Sequence, residues 1–202
     1  MLRRKEFEVN DKKSLEEVLK TAEIGNLAFN GPEGFPRITP LNYVFDGRIL
    51  WHGAIAGERF ECLQRDPRAT FCAVSAQSYV PSFLLSEENA TNATAAFKSV
   101  IVRGKCQVIN DPQEKCAILN TLMDRYQPEG RYRKVTPDDP MYLKVLAATG
   151  VFALIVEEMT GKFKFAQNKP EEARRKIASW LMKRGLPGDR VVAEEILKTM
   201  KG

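Results

Sequence analysis

The spacing of hydrophobic residues predicts strands over much of this chain. Apolar positions alternate with polar ones, or form short runs rich in β-branched residues, at 24–30, 35–46, 48–53, 69–77 and 99–108. The same signal returns at 151–156, and the alternating run Lys162-Phe163-Lys164-Phe165 reads as its continuation. Such patterns predict β-strands. Turn residues at Gly31-Pro32-Glu33-Gly34 and Asp46-Gly47 predict short connections between the early strands.

Helical periodicity and capping residues predict several helices between and after these strands. Ser14-Leu15-Glu16-Glu17 is a capping box that predicts a short helix through about Ala22. Asp111-Pro112 predicts the start of a helix that ends near Tyr126, because Asp caps well and Pro suits the first turn. Further helices are predicted at 57–65, 138–147, 170–184 and 189–200. Residues 78–95 are rich in Ser, Asn, Ala and Thr, and a loop of that length is usually functional or mobile.

These elements predict a mainly β protein with helices, of the α+β class. Five or six strands joined by short hairpins indicate a small antiparallel barrel with flanking helices and a C-terminal helical pair. No Gly-x-Gly-x-x-Gly follows a strand, which argues against a dinucleotide-binding fold. We expect one domain at 1–169, with 170–202 as a helical extension of that domain.

Composition narrows the classes of function. Hydrophobic residues make up 44% and charged residues 28% of the chain, which is typical of a globular protein with a packed core. The net charge of +5 comes from scattered basic residues and predicts weak attraction for anionic ligands rather than a nucleic-acid partner. The first residues have no apolar signal core and no run reaches membrane-spanning length, so we expect a cytoplasmic protein without a membrane partner. With one histidine and four cysteines that lack ligand spacing, no metal site is expected.

The chemistry concentrates where the predicted strand 48–53 ends. Gly53, Ala54 and Gly57 form a small-residue loop, and a helix carrying Arg59 follows. Free backbone N–H groups and a positive dipole lie at a helix N-terminus, and small residues allow a phosphate to approach the backbone. The segment therefore predicts a phosphorylated cofactor.

The chain also resembles a known family, the FMN-binding split barrels of the pyridoxamine 5′-phosphate oxidase-like superfamily. Within that superfamily, the chain looks most like the branch of nitroimidazole-resistance-like proteins. The resemblance rests on Gly25-Asn26-Leu27-Ala28, Thr39-Pro40-Leu41-Asn42-Tyr43, His52-Gly53-Ala54 and Gly57-Glu58-Arg59, with later blocks at 97–105 and 161–169. It implies a split barrel that binds FMN at the interface of a homodimer.

The resemblance also implies a set of cofactor-binding residues. One strand would line the flavin with Arg37, Ile38, Thr39, Pro40, Leu41 and Asn42, and its neighbour would continue with His52, Gly53 and Ala54. The phosphate would be held by Gly57, Glu58 and Arg59, and further polar contacts would come from Ser99, Gln167 and Asn168. Many relatives have a basic residue where this chain has Glu58, which places more of the neutralisation on Arg59.

We therefore predict an FMN-dependent oxidoreductase that reduces nitro groups or similar small acceptors, with no catalytic residue assigned. His52 either contacts the cofactor or acts as a general acid or base. The alternative is a non-catalytic flavin-binding or heme-handling protein, in which His52 would ligate iron. A nucleic-acid-binding barrel is a third reading, and only the Lys162–Phe165 run, with its interleaved aromatic and basic residues, favours it.

Overall fold

The computed structural model describes residues 3–200. Within that range it contains eight strands and six α-helices. The strands are β1 (Glu8–Val9), β2 (Gly25–Asn30), β3 (Pro36–Leu41), β4 (Val44–Phe45), β5 (Arg48–Ala54), β6 (Arg68–Val80), β7 (Thr94–Val108) and β8 (Thr149–Lys164). The helices are α1 (Lys12–Thr21), α2 (Glu58–Arg65), α3 (Pro112–Tyr126), α4 (Leu143–Ala148), α5 (Glu171–Arg184) and α6 (Asp189–Lys198).

The strands form one antiparallel sheet in the order β3-β2-β6-β7-β8-β5-β4, and β1 pairs separately with β8. The sheet does not close, so β3 and β4 are its ends. Pro36 and Pro40 suit the terminal strand β3, since proline has no N–H to give to a second neighbour. The α+β class, the antiparallel split barrel and the C-terminal helical pair are confirmed.

The described residues divide into two compact units. The first, called the helical unit here, comprises residues 3–18, 74–100 and 160–200. Its core is formed by the apolar faces of α5 and α6, with Ile177, Leu181 and Ile196 buried beside Phe165. The predicted division at residue 169 remains a prediction.

The second unit, called the sheet unit, comprises residues 19–73 and 101–159. One of its buried clusters joins Leu50 and Val151, on the paired strands β5 and β8, to Ile118 and Leu122 of α3. Trp51 is also buried and stacks on the Phe152 ring. This packing fixes β5, and with it the start of the loop to α2.

The predicted strand at 35–46 is interrupted at Asn42 and Tyr43. Tyr43 donates its backbone N–H to the Tyr126 hydroxyl at 3.0 Å, and this hydroxyl lies 2.7 Å from the Glu23 carbonyl and 3.0 Å from the Tyr43 carbonyl. These bonds take Tyr43 out of the sheet ladder, so only β4 and β5 flank the Asp46-Gly47 turn. Gly47 has φ +106, a conformation that favours glycine.

Other boundaries differ from the sequence prediction for local reasons. Helix α1 begins at Lys12 because Asp11 accepts hydrogen bonds from the backbone N–H and hydroxyl of Ser14, at 2.9 and 2.7 Å. Asp111 caps α3 as predicted, accepting the Glu114 N–H at 2.7 Å. Strand β8 continues through Gly161, where a side chain would clash with Leu15. The irregular segment shrinks to 81–93, and it contains 3-10 turns at Ser82–Leu84 and Ala90–Asn92.

Candidate functional site

The site begins at the end of β5, in the sheet unit. The register with β8 pairs His52 with Val151, Gly53 with Gly150 and Ala54 with Thr149. Successive residues of a strand face opposite sides, so Trp51 is buried while His52 is accessible. The chain then bends through residues 55–57, and α2 starts at Glu58.

Gly57 is the N-cap of α2 and has φ +93. It has no side chain that could accept hydrogen bonds from the N–H groups of the first turn. Those groups and the positive end of the helix dipole are therefore available to an anion. A side chain at this position would be strained, which explains why the loop needs glycine here.

The Arg59 guanidinium folds back over Gly53. A Cβ atom at Gly53 would clash with Arg59 Nη2, so the close approach depends on glycine. Partial burial lowers the pKa of Arg59, although an arginine stays protonated at neutral pH. Within residues 3–200, Arg59 has no hydrogen-bond or ion-pair partner. A partly buried cation without a counter-charge is costly, and an anionic ligand would supply that charge.

His52 is electrostatically connected to Arg59. Desolvation of the ring, and secondly the charge of Arg59, lower the pKa of His52 below its ordinary 6.5. At neutral pH the imidazole is therefore neutral and offers one N–H donor and one nitrogen acceptor. The chain's single histidine thus lies close enough to Arg59 to feel its charge.

The negative charge of Glu58, next to Gly57 and Arg59, is neutralised by an ion pair with Arg37. Arg37 Nε lies 2.8 Å from Glu58 Oε1, and this ion pair connects β3 to the first residue of α2. Arg37 is thereby neutralised, which leaves Arg59 as the free cation of the Gly57–Arg59 segment. The expectation that β3 and the His52 strand are neighbours was wrong, since β3 pairs with β2, and β5 with β4 and β8.

The remaining predicted residues of β3 have different surroundings. Ile38 is 67% exposed and Pro40 is exposed, whereas Thr39 is partly buried and Leu41 belongs to the core. Asn42 follows the strand and lines a surface cavity of about 370 Å³ together with Arg125 and Tyr126. Contact of these residues with a cofactor remains a prediction.

Ser99, Gln167 and Asn168 belong to the helical unit, whereas Arg59 belongs to the sheet unit. Ser99 is partly buried on β7. The Gln167 amide closes the turn after β8, since its Oε1 accepts the Phe165 N–H and its Nε2 donates to the Phe163 carbonyl, both at 2.6 Å. Asn168 lines a cavity of about 400 Å³ in the helical unit.

That cavity is the feature that sequence reasoning missed. Lys162 and Lys164 both line it, as expected for positions i and i+2 of a strand. Phe165 is buried and Phe163 packs against the same helical core. The alternation that favoured nucleic-acid binding is thus explained by packing on one face and a basic cavity on the other.

The cysteines do not have the environment of a nucleophile. Burial raises the pKa of the thiols of Cys72, Cys106 and Cys116, for Cys106 to about 12. Thiolates are the reactive form, and such surroundings disfavour them. Among residues 3–200, no cluster of His, Cys, Asp or Glu is arranged to hold a metal ion. In the same range, none of the helices combines the length and apolarity needed to cross a membrane.

Comparisons with known proteins agree with this architecture. A family model described as pyridoxamine 5′-phosphate oxidase matches residues 11–163. The fold is similar to a candidate 5-nitroimidazole antibiotic resistance protein from Bacteroides thetaiotaomicron, with 22% identity, a TM-score of 0.62, and coverage of 77% of this chain and 85% of that one. Flavocytochrome Anf3 from Azotobacter vinelandii gives 23% identity, a TM-score of 0.68, and coverage of 81% and 72%. An FAD and heme binding protein from Mycobacterium smegmatis gives 21% identity, a TM-score of 0.63, and coverage of 78% of this chain and 73% of that one. Comparison with curated proteins gave no match.

Proposed function

Because the chain belongs to the pyridoxamine 5′-phosphate oxidase family of flavin-binding split barrels, we propose that it binds FMN and acts as an FMN-dependent oxidoreductase. In this proposal it works as a cytoplasmic homodimer. The observation that carries the proposal is the Arg59 guanidinium, partly buried over Gly53 and unpaired within residues 3–200. FMN ends in a phosphate, the anion that such a group binds well.

The residues around Arg59 suit a phosphate in four ways. Arg59 supplies the positive charge, and the uncapped first turn of α2 supplies N–H donors. Gly57 leaves the backbone approachable, and Gly53 makes room for the Arg59 guanidinium. The neutral His52 ring adds one N–H donor and one nitrogen acceptor.

The flavin ring needs hydrogen-bond donors and acceptors along its edge. Thr39 and Asn42 carry neutral polar groups of the required kinds, and in a homodimer Ser99 and Asn168 would add others from the partner. When bound, FMN supplies the electron-carrying ring, and the protein binds it, orients it and tunes its electronics. We infer that His52 positions the cofactor rather than donating a proton, because flavin chemistry can take its protons from water.

The substrate class in this proposal is a nitro compound or a similar small acceptor. The support is the resemblance to the nitroimidazole-resistance-like branch and the shared fold with a candidate resistance protein. Reoxidation of the dithionite-reduced, FMN-loaded protein by a nitroimidazole, compared with its reoxidation by a quinone, checks the substrate class separately from cofactor binding.

Arg59→Ala tests the cofactor site directly. Loss of a charge-assisted hydrogen bond should weaken FMN binding by about 1.5–3 kcal/mol, or about 10- to 150-fold in Kd. Arg65→Ala is the matched control, because Arg65 is in the last turn of the same helix. Titration of the apoprotein with FMN, followed by flavin fluorescence, measures both.

Equal FMN affinity in the wild type and Arg59→Ala would contradict the phosphate assignment.

The absorption spectrum of the purified protein distinguishes the proposed flavin-dependent function from the heme-handling alternative. Flavin bands support the proposal, whereas a Soret band without flavin would favour the heme-handling alternative.

A further inference from the structure

The helical unit encloses a cavity of about 400 Å³, which lies within the size range of small-molecule sites. Its inner wall is apolar and buried, and is formed in part by Phe7, Val80, Ile177 and Ile196. Five basic residues also line it, namely Arg3, Arg4, Lys162, Lys164 and Lys169. An apolar wall beside a concentration of positive charge suits a ligand with an organic body and an anionic group.

The three lysines of this cavity have only neutral partners within residues 3–200. Lys164 Nζ donates to Thr94 Oγ1, and Lys169 Nζ donates to Asn92 Oδ1 at 3.0 Å. Lys162 Nζ lies 5.5 Å from the centroid of the Phe97 ring. No Asp or Glu occurs among the described residues that line the cavity.

Two basic side chains elsewhere in the helical unit, those of Lys98 and Arg184, are paired with carboxylates. Lys98 Nζ lies 3.0 Å from Glu195 Oε2, and Arg184 Nη2 lies 2.5 Å from Asp189 Oδ1. The cavity therefore gathers basic side chains without a carboxylate among its described lining residues.

The lysines of the cavity also repel one another. Burial, followed by the charges of Lys162 and Arg4, lowers the pKa of Lys164. Bringing like charges together around a partly desolvated space costs free energy that an anion would recover. The arrangement is thus more favourable with an anionic ligand present.

We propose that this cavity is a second ligand site, which binds a small organic phosphate. The phosphate would contact Lys162, Lys164 and Lys169, and the organic part would lie against Phe7 and Ile177. The site shares no residue with the Gly57–Arg59 segment proposed for FMN. Asn168 lines this cavity and is also among the residues proposed to contact the flavin, so the phosphate site proposed here is separate from the FMN phosphate site rather than from every proposed flavin contact.

Isothermal titration calorimetry with 1-naphthyl phosphate tests the proposal on the full chain saturated with FMN. This probe combines an aromatic body with one phosphate. It should bind at least tenfold more tightly than inorganic phosphate, which lacks the body, and at least tenfold more tightly than 1-naphthol, which lacks the charge. Equal binding of the probe and either fragment would overturn the proposal.

Paired variants then locate the site. Lys162→Gln/Lys164→Gln should weaken probe binding at least tenfold. Lys176→Gln/Lys183→Gln removes the same charge from exposed positions on α5 and should change it less than twofold. Thermal melting checks that each variant folds, and Lys169→Gln with Lys176→Gln as its control replaces the pair if the double variant does not fold.

Equal probe affinity in the cavity variant and its control would overturn the location. Loss of FMN from the cavity variant, with probe binding unchanged, would make the cavity part of the cofactor site and would also overturn it. Arg59→Ala separates the two proposals, because it should weaken FMN binding and leave probe binding unchanged in the apoprotein.

Discussion

The placement of Gly57 and Arg59 at the start of α2 could be predicted because its signal is local. A glycine, a helix start and an arginine within three positions bring free N–H groups and a cation close together, and this is the basis of the proposed anion site. The Arg37–Glu58 ion pair could not be predicted, since the two residues are 21 positions apart and belong to elements that do not pair in the sheet. The sequence identified Glu58 as unusual, and the structure shows which residue neutralises it.

At His52, the prediction concerns its protonation. The charge of Arg59 contributes to the lowered pKa, so an anion bound between them should raise the pKa of His52. Because His52 is the only histidine, its ring resonances can be followed by NMR during pH titration without assignment. We expect a higher pKa in the FMN complex than in the apoprotein, and also in apo Arg59→Ala. An unchanged value on FMN binding would place the phosphate elsewhere.

At the element scale, the ion pair that connects β3 to α2 places the negative charge of Glu58 beside the proposed phosphate. Glu58→Gln removes a negative charge beside the proposed phosphate and releases Arg37. FMN should then bind about three- to tenfold more tightly, while the loss of a half-exposed ion pair should cost at most about 1 kcal/mol of stability. Glu61→Gln, in the same first turn, is the control and should leave the FMN dissociation constant unchanged. Weaker FMN binding in Glu58→Gln would indicate that the Arg37–Glu58 pair itself orders the site.

Helix positions were predicted well, but the contacts that hold the last two helices were not. Asp189 was expected only as a helix start after the Gly185–Gly188 turn. It is buried and accepts hydrogen bonds from Arg184, from Ser78 at 2.5 Å and from the Leu186 N–H at 2.9 Å. Ser78 is 111 residues away, so nothing local in the sequence indicates this cluster.

Asp189 should make the α5–α6 pair sensitive to acid. The hydrogen bonds from Arg184, partly offset by burial, lower the pKa of Asp189 to about 2 from 3.8. A lowered carboxyl pKa stabilises the fold above the unfolded-state value, and that contribution is lost as pH falls from about 4 to about 2. Asp189→Asn should therefore lower the free energy of unfolding by about 2 kcal/mol at pH 7. Urea denaturation compares this variant with Glu194→Gln, which removes the exposed Arg190–Glu194 ion pair of the same helix. The loss of that pair should lower the free energy of unfolding by less than about 1 kcal/mol.

At the scale of the whole molecule, the sequence identified the family and the fold class because the motifs cover most of the chain in order. It did not predict the two compact units, since β6, β7 and β8 each contribute residues to both.

The sequence also did not predict that α4 would have no buried residue. Leu143 and Val145 of that helix are 52% and 60% exposed, in a six-residue segment with one charged side chain. Exposed apolar patches of this kind commonly mark interaction surfaces.

We expect this surface of α4 to be covered by a second copy of the chain. Sedimentation of the FMN-loaded protein should give about twice 22.8 kDa. Leu143→Glu/Val145→Glu should shift it to the monomer, because burying two carboxylates in an apolar contact costs more than the contact gains. Both residues are exposed in the single chain, so the fold should be retained. Val191→Glu, at an exposed apolar position on α6, is the control and should remain dimeric. A wild-type monomer that retains FMN would contradict the shared cofactor site, and a dimeric α4 variant would place the interface on another surface.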